Sequence, residues 1–78
     1  MNSFAERLAF LMKKHNMSQA ELGRRIQVKR QTIQHILSAD VKNSKLLFDI
    51  ATVFNVNETW LATGNGSMYP SSKELPVL

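Results

Sequence analysis

Two helix-start motifs near the beginning of the chain constrain its fold more than any other feature. Both have the form S-x-x-E: Ser3 stands three residues before Glu6, and Ser18 stands three residues before Glu21. In such a capping box the serine oxygen accepts from the third amide of the helix, and the glutamate side chain accepts from the serine amide. Apolar residues at helical spacing follow each motif. The sequence therefore predicts two helices that begin directly after Ser3 and Ser18.

Apolar periodicity and breaker residues predict three further helices and no strand. In chain order the five predicted helices cover residues 4–15, 19–26, 30 to 38 or 39, 45–54 and 58–63. Ser44 is the expected cap of the fourth helix, and Asn57 is the expected cap of the fifth. Gly64 suits the left-handed position that ends a helix. The predicted fold class is all-α, a compact five-helix domain with an irregular C-terminal tail.

Positive charge is concentrated in the middle of the chain. Residues 24–45 carry six basic side chains and one acidic side chain, a net charge of +5, whereas residues 1–23 carry +1 and residues 46–78 carry −2. Such a basic segment is typical of a surface that faces an anionic partner. The chain has no cysteine, which excludes disulfides and thiolate metal sites. No apolar run is long enough to cross a bilayer, so we expect a cytoplasmic protein with no membrane partner.

The second and third predicted helices are separated by only three residues, 27–29. Two short helices joined by such a turn form a helix-turn-helix, in which the second helix protrudes and enters the DNA major groove. Four polar side chains lie on the outward face of this second helix: Gln31, Gln34, His35 and Ser38. Glutamine pairs with adenine, and arginine or lysine pairs with guanine. The predicted partner is a double-stranded DNA operator.

The segments MSQAELGRRIQVKRQTIQHIL and LLFDIATVFNVNETWLATG resemble the lambda-repressor/Cro-type (XRE-like) helix-turn-helix domain of temperate-phage and prophage repressors. The resemblance covers residues 4–66 and implies a bacterial, nucleoid-associated repressor that acts on two-fold operator sites as a homodimer. It implies that five residues contact base edges: Lys29, Arg30, Gln31, Gln34 and His35. The predicted phosphate contacts come from seven residues: Gln19, Thr32, Ser38, Lys42, Asn43, Ser44 and Lys45.

Three positions depart from the family pattern, which commonly has alanine at position 23, glycine at position 27 and a Ser or Thr cap at position 29. Gly23 costs about 1 kcal/mol of helix propensity but permits a close approach between helices. Gln27 is strained at positive φ, so we expect a right-handed or locally bonded turn there. Lys29 is not a capping residue, which favours a base or phosphate contact for its side chain.

Two other functions stay open on sequence alone. One is an antitoxin-type regulator that binds both its operator and a protein toxin, and the other is a basic helical module that binds an acidic protein. An enzyme is not expected, because the chain has no glycine-rich phosphate loop, no paired carboxylates and no nucleophile beside a base. We expect no cofactor, metal or small-molecule ligand; neither His15 nor His35 has a second ligand at suitable spacing.

Residues 1–66 are predicted to form the DNA-binding domain, and residues 67–78 a flexible tail or a linker to a missing C-terminal domain. The ending KELPVL resembles the entry to the self-cleaving dimerisation domain of such repressors. The apolar residues predicted to be spare are Met68, Tyr69, Leu75, Val77 and Leu78. A stable dimer buries above roughly 1,000 Å², so we expect a monomer or weak dimer that pairs cooperatively on palindromic DNA. The alternative is a dimer interface between Trp60 and Tyr69.

Overall fold

The computed structural model describes residues 3–69, which form five α-helices. In chain order they are α1 (Phe4–Lys14), α2 (Gln19–Ile26), α3 (Arg30–Ala39), α4 (Ser44–Phe54) and α5 (Glu58–Thr63). Residues 3–69 contain no strand. The all-α prediction is confirmed, and each helix lies within a residue or two of its predicted bounds.

The first capping box is complete, and the second is only half formed. At α1 the Glu6 amide donates to Ser3 Oγ at 3.1 Å and the Ser3 amide donates back to the Glu6 carboxylate. At α2 the Glu21 amide donates to Ser18 Oγ at 3.1 Å. The Glu21 carboxylate, however, accepts from the Arg25 guanidinium at 3.0 Å. The predicted hydrogen bond from the Ser18 amide to the Glu21 carboxylate is therefore wrong, because the carboxylate binds a charged donor one helical turn away.

The cap of α4 is Asn43, so the prediction of Ser44 is wrong by one residue. The Asn43 Oδ1 atom accepts from the Lys45 amide at 3.0 Å and from the Leu46 amide at 3.2 Å. Asparagine caps a helix as well as serine does, and here its oxygen satisfies two of the free amides at once. At α5 both predictions are confirmed: Asn57 caps the start, and Gly64 ends the helix at φ 84°.

The turn between α2 and α3 differs in part from the prediction. Gln27 has φ 63° and ψ 45°, which is the left-handed region, so the right-handed alternative is wrong, whereas the turn is locally bonded as the other alternative expected. In this conformation two backbone amides donate hydrogen bonds to carbonyls in the last turn of α2. The Gln27 amide donates to the Arg24 carbonyl, and the Val28 amide donates to the Gly23 carbonyl at 2.8 Å. The satisfied carbonyls offset the steric cost of positive φ. Gly23 permits the close approach that was expected, since a Cβ there would lie 2.7 Å from the Val28 oxygen.

One core joins all five helices. Its largest fully buried side chains come from every helix: Phe4, Leu8, Leu11, Leu22, Ile33, Ile50 and Leu61. Trp60 is 7% exposed and belongs to this core. Arg7, which the sequence did not indicate, is buried beside it at 3% exposure. Its guanidinium donates to the Leu61 carbonyl at 2.8 Å and to the Ala62 carbonyl at 3.0 Å, so α1 satisfies the free end of α5.

Apolar surface is not confined to the tail, so that prediction is wrong. The exposed large apolar side chains among residues 3–69 are Phe48 (58%), Tyr69 (45%), Val41 (39%) and Phe10 (38%). Phe48 lies about 100° around α4 from the centre of the buried stripe, which leaves it outside the core. Met68 is only half exposed, packs against the core, and accepts from the Asn57 amide at 2.7 Å. The remaining predicted spare residues, 75, 77 and 78, lie outside the described residues.

Candidate nucleic-acid interface

The helix-turn-helix is built from α2, the turn at residues 27–29 and α3. Ile33 and Ile36 of α3 are buried at 0% and 3% exposure, and Leu22 of α2 is fully buried with them. These contacts fix the inner face of α3 to the rest of the core. The close approach of Val28 to Gly23 fixes its amino end. The outer face of α3 is consequently presented to solvent on a rigid support.

All five residues predicted to contact bases are exposed: Lys29, Arg30, Gln31, Gln34 and His35. None of these side chains has a hydrogen-bond or ion-pair partner within residues 3–69. On α3 the two glutamines, His35 and Ser38 fall within an arc of about 100°. The structure therefore places three of the predicted base contacts, Gln31, Gln34 and His35, on one face, with Lys29 and Arg30 at the amino end of the same helix.

The amino end of α3 is strongly electropositive. Lys29 stands at its N-cap position without a side-chain hydrogen bond, and Arg30 is its first residue. The first turn holds no acidic residue. Two cations thus lie at the end of the helix where the macrodipole is itself positive. This charge distribution is suited to an anion, and the predicted base or phosphate contact of Lys29 stays a prediction.

Three of the predicted phosphate contacts lie on α2 and α3. Gln19 is the first residue of α2 and is half buried. Thr32 is half buried in the first turn of α3. Ser38 is exposed, and its hydroxyl donates to the His35 carbonyl at 3.3 Å. Gln19 is placed beside the free amides of a helix start, which is a favourable position for a phosphate.

Of the other four predicted phosphate contacts, Lys42 and Asn43 lie between α3 and α4, and Ser44 and Lys45 are the first two residues of α4. Lys42 Nζ donates to the Ala62 carbonyl at 3.4 Å, which holds it near the end of α5. Lys45 Nζ pairs with the Asp49 carboxylate at 3.3 Å, but the lysine side chain is 81% exposed. An exposed pair of this kind contributes about 0.3–0.5 kcal/mol, so the carboxylate holds the lysine only weakly. Asn43 uses its oxygen to cap α4, which leaves its amide nitrogen for a phosphate, and Ser44 is exposed beside it.

Lys45 lies on the same side of the molecule as the helix-turn-helix. It lines one surface groove with Arg25 and Gln27, and the groove has a volume of about 310 Å³. The start of α4 and the turn before α3 are therefore neighbours in space, although 18 residues separate Lys45 from Gln27. Arg24 is also exposed in this region and has no ion-pair partner within residues 3–69. Arg25 is held by Glu21, a pair that its i,i+4 spacing could have indicated.

Residues 3–69 contain no group of three or more His, Cys, Asp or Glu side chains that could hold a metal ion. Within the same residues, no helix is both long and apolar enough to cross a membrane.

Comparison with known proteins agrees with this geometry. The helix-turn-helix family profile matches residues 8–61. The chain is 38% identical over 68 residues, 87% of its length, to the HTH-type transcriptional regulators for conjugative element R391 of Providencia rettgeri and SXT of Vibrio cholerae. It is 33% identical over 66 residues to the HTH-type transcriptional regulator PrtR of Pseudomonas aeruginosa. It spans 32% of the length of the first two and 26% of PrtR. The chain belongs to the helix-turn-helix family, as its lambda-repressor-like sequence pattern predicts.

Proposed function

We propose that this chain is the sequence-specific DNA-binding part of a transcriptional repressor of the phage or prophage type. One observation carries the proposal: the outer face and amino end of α3, together with Lys29 at its N-cap, present five hydrogen-bonding side chains that have no partner within residues 3–69. Hydrogen-bonding and positively charged side chains grouped on a protruding helix can bind a ligand that has many hydrogen-bonding edges and a negative charge. Duplex DNA has both properties.

In the proposed complex α3 lies in the major groove. Gln31 and Gln34 hydrogen-bond adenine edges, because a carboxamide matches the N6 and N7 atoms of that base. Lys29 and Arg30, at the amino end of the helix, contact guanine O6 and N7. His35 lies later on the same face and contacts a base edge or the adjoining sugar-phosphate.

Phosphates on either side of the groove hold the domain in register. Gln19 and the first amides of α2 bind one phosphate. Lys45 leaves Asp49 and binds another, and Lys42, Asn43 and Ser44 extend this contact along the backbone. Thr32 and Ser38 flank the base-contacting face and complete the set. These contacts supply affinity, whereas the glutamines supply sequence preference.

The assembly and setting of the protein are part of the same proposal. The relatives from conjugative elements R391 and SXT are named as HTH-type transcriptional regulators, and this chain corresponds to about a third of their length. We infer that it acts on the bacterial nucleoid in the cytoplasm, at two-fold operators, as a homodimer formed on DNA. Half-sites one helical turn apart require two copies related by a two-fold axis.

Selection from a random duplex pool, followed by affinity measurements, tests the proposal. We expect the selected site to bind far more tightly than random DNA. Gln31→Ala should cost about 1–3 kcal/mol on the selected site and little on random DNA. Lys45→Ala should weaken both alike and reduce the slope of log K against log salt by about one.

Lys14→Ala is the matched control for Lys45→Ala. Lys14 is also an exposed lysine, in the last turn of α1 and outside the proposed contacts, so its removal should leave the salt slope unchanged. Selection that yields no consensus would refute sequence-specific binding. A Gln31→Ala variant that weakens both DNAs equally would refute base contact by α3.

A further inference from the structure

The recognition helix α3 ends at an aspartate in a conformation that usually takes glycine. Asp40 has φ 55° and ψ 41°, and its amide donates to the Ile36 carbonyl at 2.9 Å. Glycine adopts this left-handed conformation without steric cost, whereas aspartate tolerates it less well. An aspartate at this position is therefore expected to make a side-chain contact that offsets the steric cost of the left-handed conformation.

The Asp40 carboxylate reaches the start of α1, where Oδ1 accepts from the Ala5 amide at 2.8 Å. The two residues are 35 positions apart, and the bond is partly buried. Ser3 satisfies the neighbouring Glu6 amide, so Asp40 caps a second amide of this helix end from another part of the chain. The negative charge also lies at the positive end of the α1 dipole.

This bond adds to the core contacts of Ile36 in holding the carboxyl end of α3. The amino end is held separately by the contact between Gly23 and Val28. A ten-residue helix is about 15 Å long, so a tilt of about 10° about one end moves the other by about 2.6 Å. Such a movement exceeds the tolerance of a hydrogen bond to a base edge.

We propose that Asp40 is a positioning residue that sets the docking angle of α3, and hence the sequence discrimination of the domain, without touching DNA. The inference rests on the proposed DNA-binding function. It accounts for the one acidic residue in the otherwise basic segment 24–45. The Asp40 charge faces the amino end of α1, and the hydrogen bond it accepts ties the recognition helix to α1.

Two substitutions distinguish the effect of the Asp40–Ala5 hydrogen bond from the effects of the Asp40 charge and of its left-handed backbone. Asp40→Gly and Asp40→Asn both remove one negative charge, and both residues accept the left-handed conformation. Asparagine keeps a side-chain oxygen that accepts from the Ala5 amide, and glycine does not. Any difference in DNA binding between these variants therefore reports the bond to α1.

The measured quantity is the ratio of Kd on random duplex to Kd on the selected site, at 10 °C, with folding checked by circular dichroism. We expect Asp40→Asn to keep the wild-type ratio. Asp40→Gly should reduce the ratio at least about fivefold, the effect of one weakened base contact. Both should bind random DNA somewhat more tightly than wild type, because each removes a negative charge.

Ser3→Ala controls for stability alone. It removes the other acceptor at the same helix end without touching α3, so it should lower Tm and leave the ratio unchanged. If Asp40→Gly does not fold, Asp40→Ser, whose side chain is one atom shorter, replaces it in the comparison.

The possible failures are distinguishable. Wild type that shows no preference for any duplex refutes the proposed function itself. Wild type with a preference that Asp40→Gly retains refutes the role of Asp40 alone. An equal loss in Asp40→Gly and Ser3→Ala would show that stability, and not helix position, controls the ratio, and would also overturn the inference.

Discussion

Whether Gly23→Ala stabilises or destabilises the protein depends on the packing of the helix-turn-helix. Gly23 lies inside α2, where alanine is the better helix former. A Cβ at this position would stand 2.7 Å from the Val28 oxygen, 0.7 Å short of an ordinary contact at 3.4 Å. The obstructing atom belongs to the backbone of the turn, and the Val28 amide is bonded to the Gly23 carbonyl at 2.8 Å. The turn therefore has to shift if the methyl group is to fit.

Two opposing terms decide the result. Alanine gains about 1 kcal/mol of helix propensity over glycine. Forcing an extra carbon into a closely packed site costs about 1–3 kcal/mol, and a backbone obstacle places this case in the upper half of the range. The net effect is a destabilisation of about 1–2 kcal/mol. For a domain of this size, Tm should fall by about 5–10 °C.

Thermal unfolding followed by circular dichroism measures the change. Ala9→Gly, at an exposed position inside α1, is the control that isolates propensity, and it should destabilise by about 1 kcal/mol. If Gly23→Ala raises Tm by as much as Ala9→Gly lowers it, then the difference in helix propensity between alanine and glycine alone explains both changes. That result would refute the argument from close approach.

Three further substitutions have expected outcomes in the same unfolding assay. Gln27→Gly removes the steric cost of a left-handed glutamine, about 1–2 kcal/mol. Glycine loses more conformational entropy on folding, which costs about 0.5–1 kcal/mol, so Tm should rise by a few degrees. A fall in Tm would show that the glutamine side chain stabilises the turn. Arg7→Met leaves the Leu61 carbonyl without its side-chain donor and the Ala62 carbonyl with only the longer bond from Lys42, and should cost about 3 kcal/mol, so a loss below about 1 kcal/mol contradicts the anchoring role. Asn43→Ala should cost about 1 kcal/mol by uncapping α4, and the neighbouring Ser44→Ala should cost much less. Equal losses would contradict the assignment of Asn43 as the cap.

The order and extent of the helices followed from the sequence because their causes are local. A capping residue, an apolar spacing and a helix-ending glycine all act within about four residues, the reach of one helical turn. The outward face of α3 was predictable for the same reason, since rotation of about 100° per residue decides which side chains share a face once the helix is assigned. Gln31, Gln34 and His35 were therefore placed together without knowledge of the tertiary structure.

Where two good caps stand side by side, local reasoning was off by one residue. Ser44 and Asn43 are both suitable, and only the path of the chain into α4 decides that Asn43 takes the position. At Gln27 the steric rule against positive φ was outweighed, because the turn returns two amides to the end of α2. Local preferences of about 1 kcal/mol give way when tertiary contacts contribute more.

The remaining features depend on groups that are far apart in the chain. Arg7 satisfies carbonyls 54 and 55 residues away, and Asp40 satisfies an amide 35 residues away. No periodic pattern encodes such bonds, because each requires two helices to be packed before donor and acceptor meet. Phe48 is exposed for a related reason: its helix has only one face against the core, and packing decides which apolar residues that face includes. The sequence by itself determined the helices and the face that meets DNA in the proposed function. Tertiary packing alone decided how rigidly that face is held.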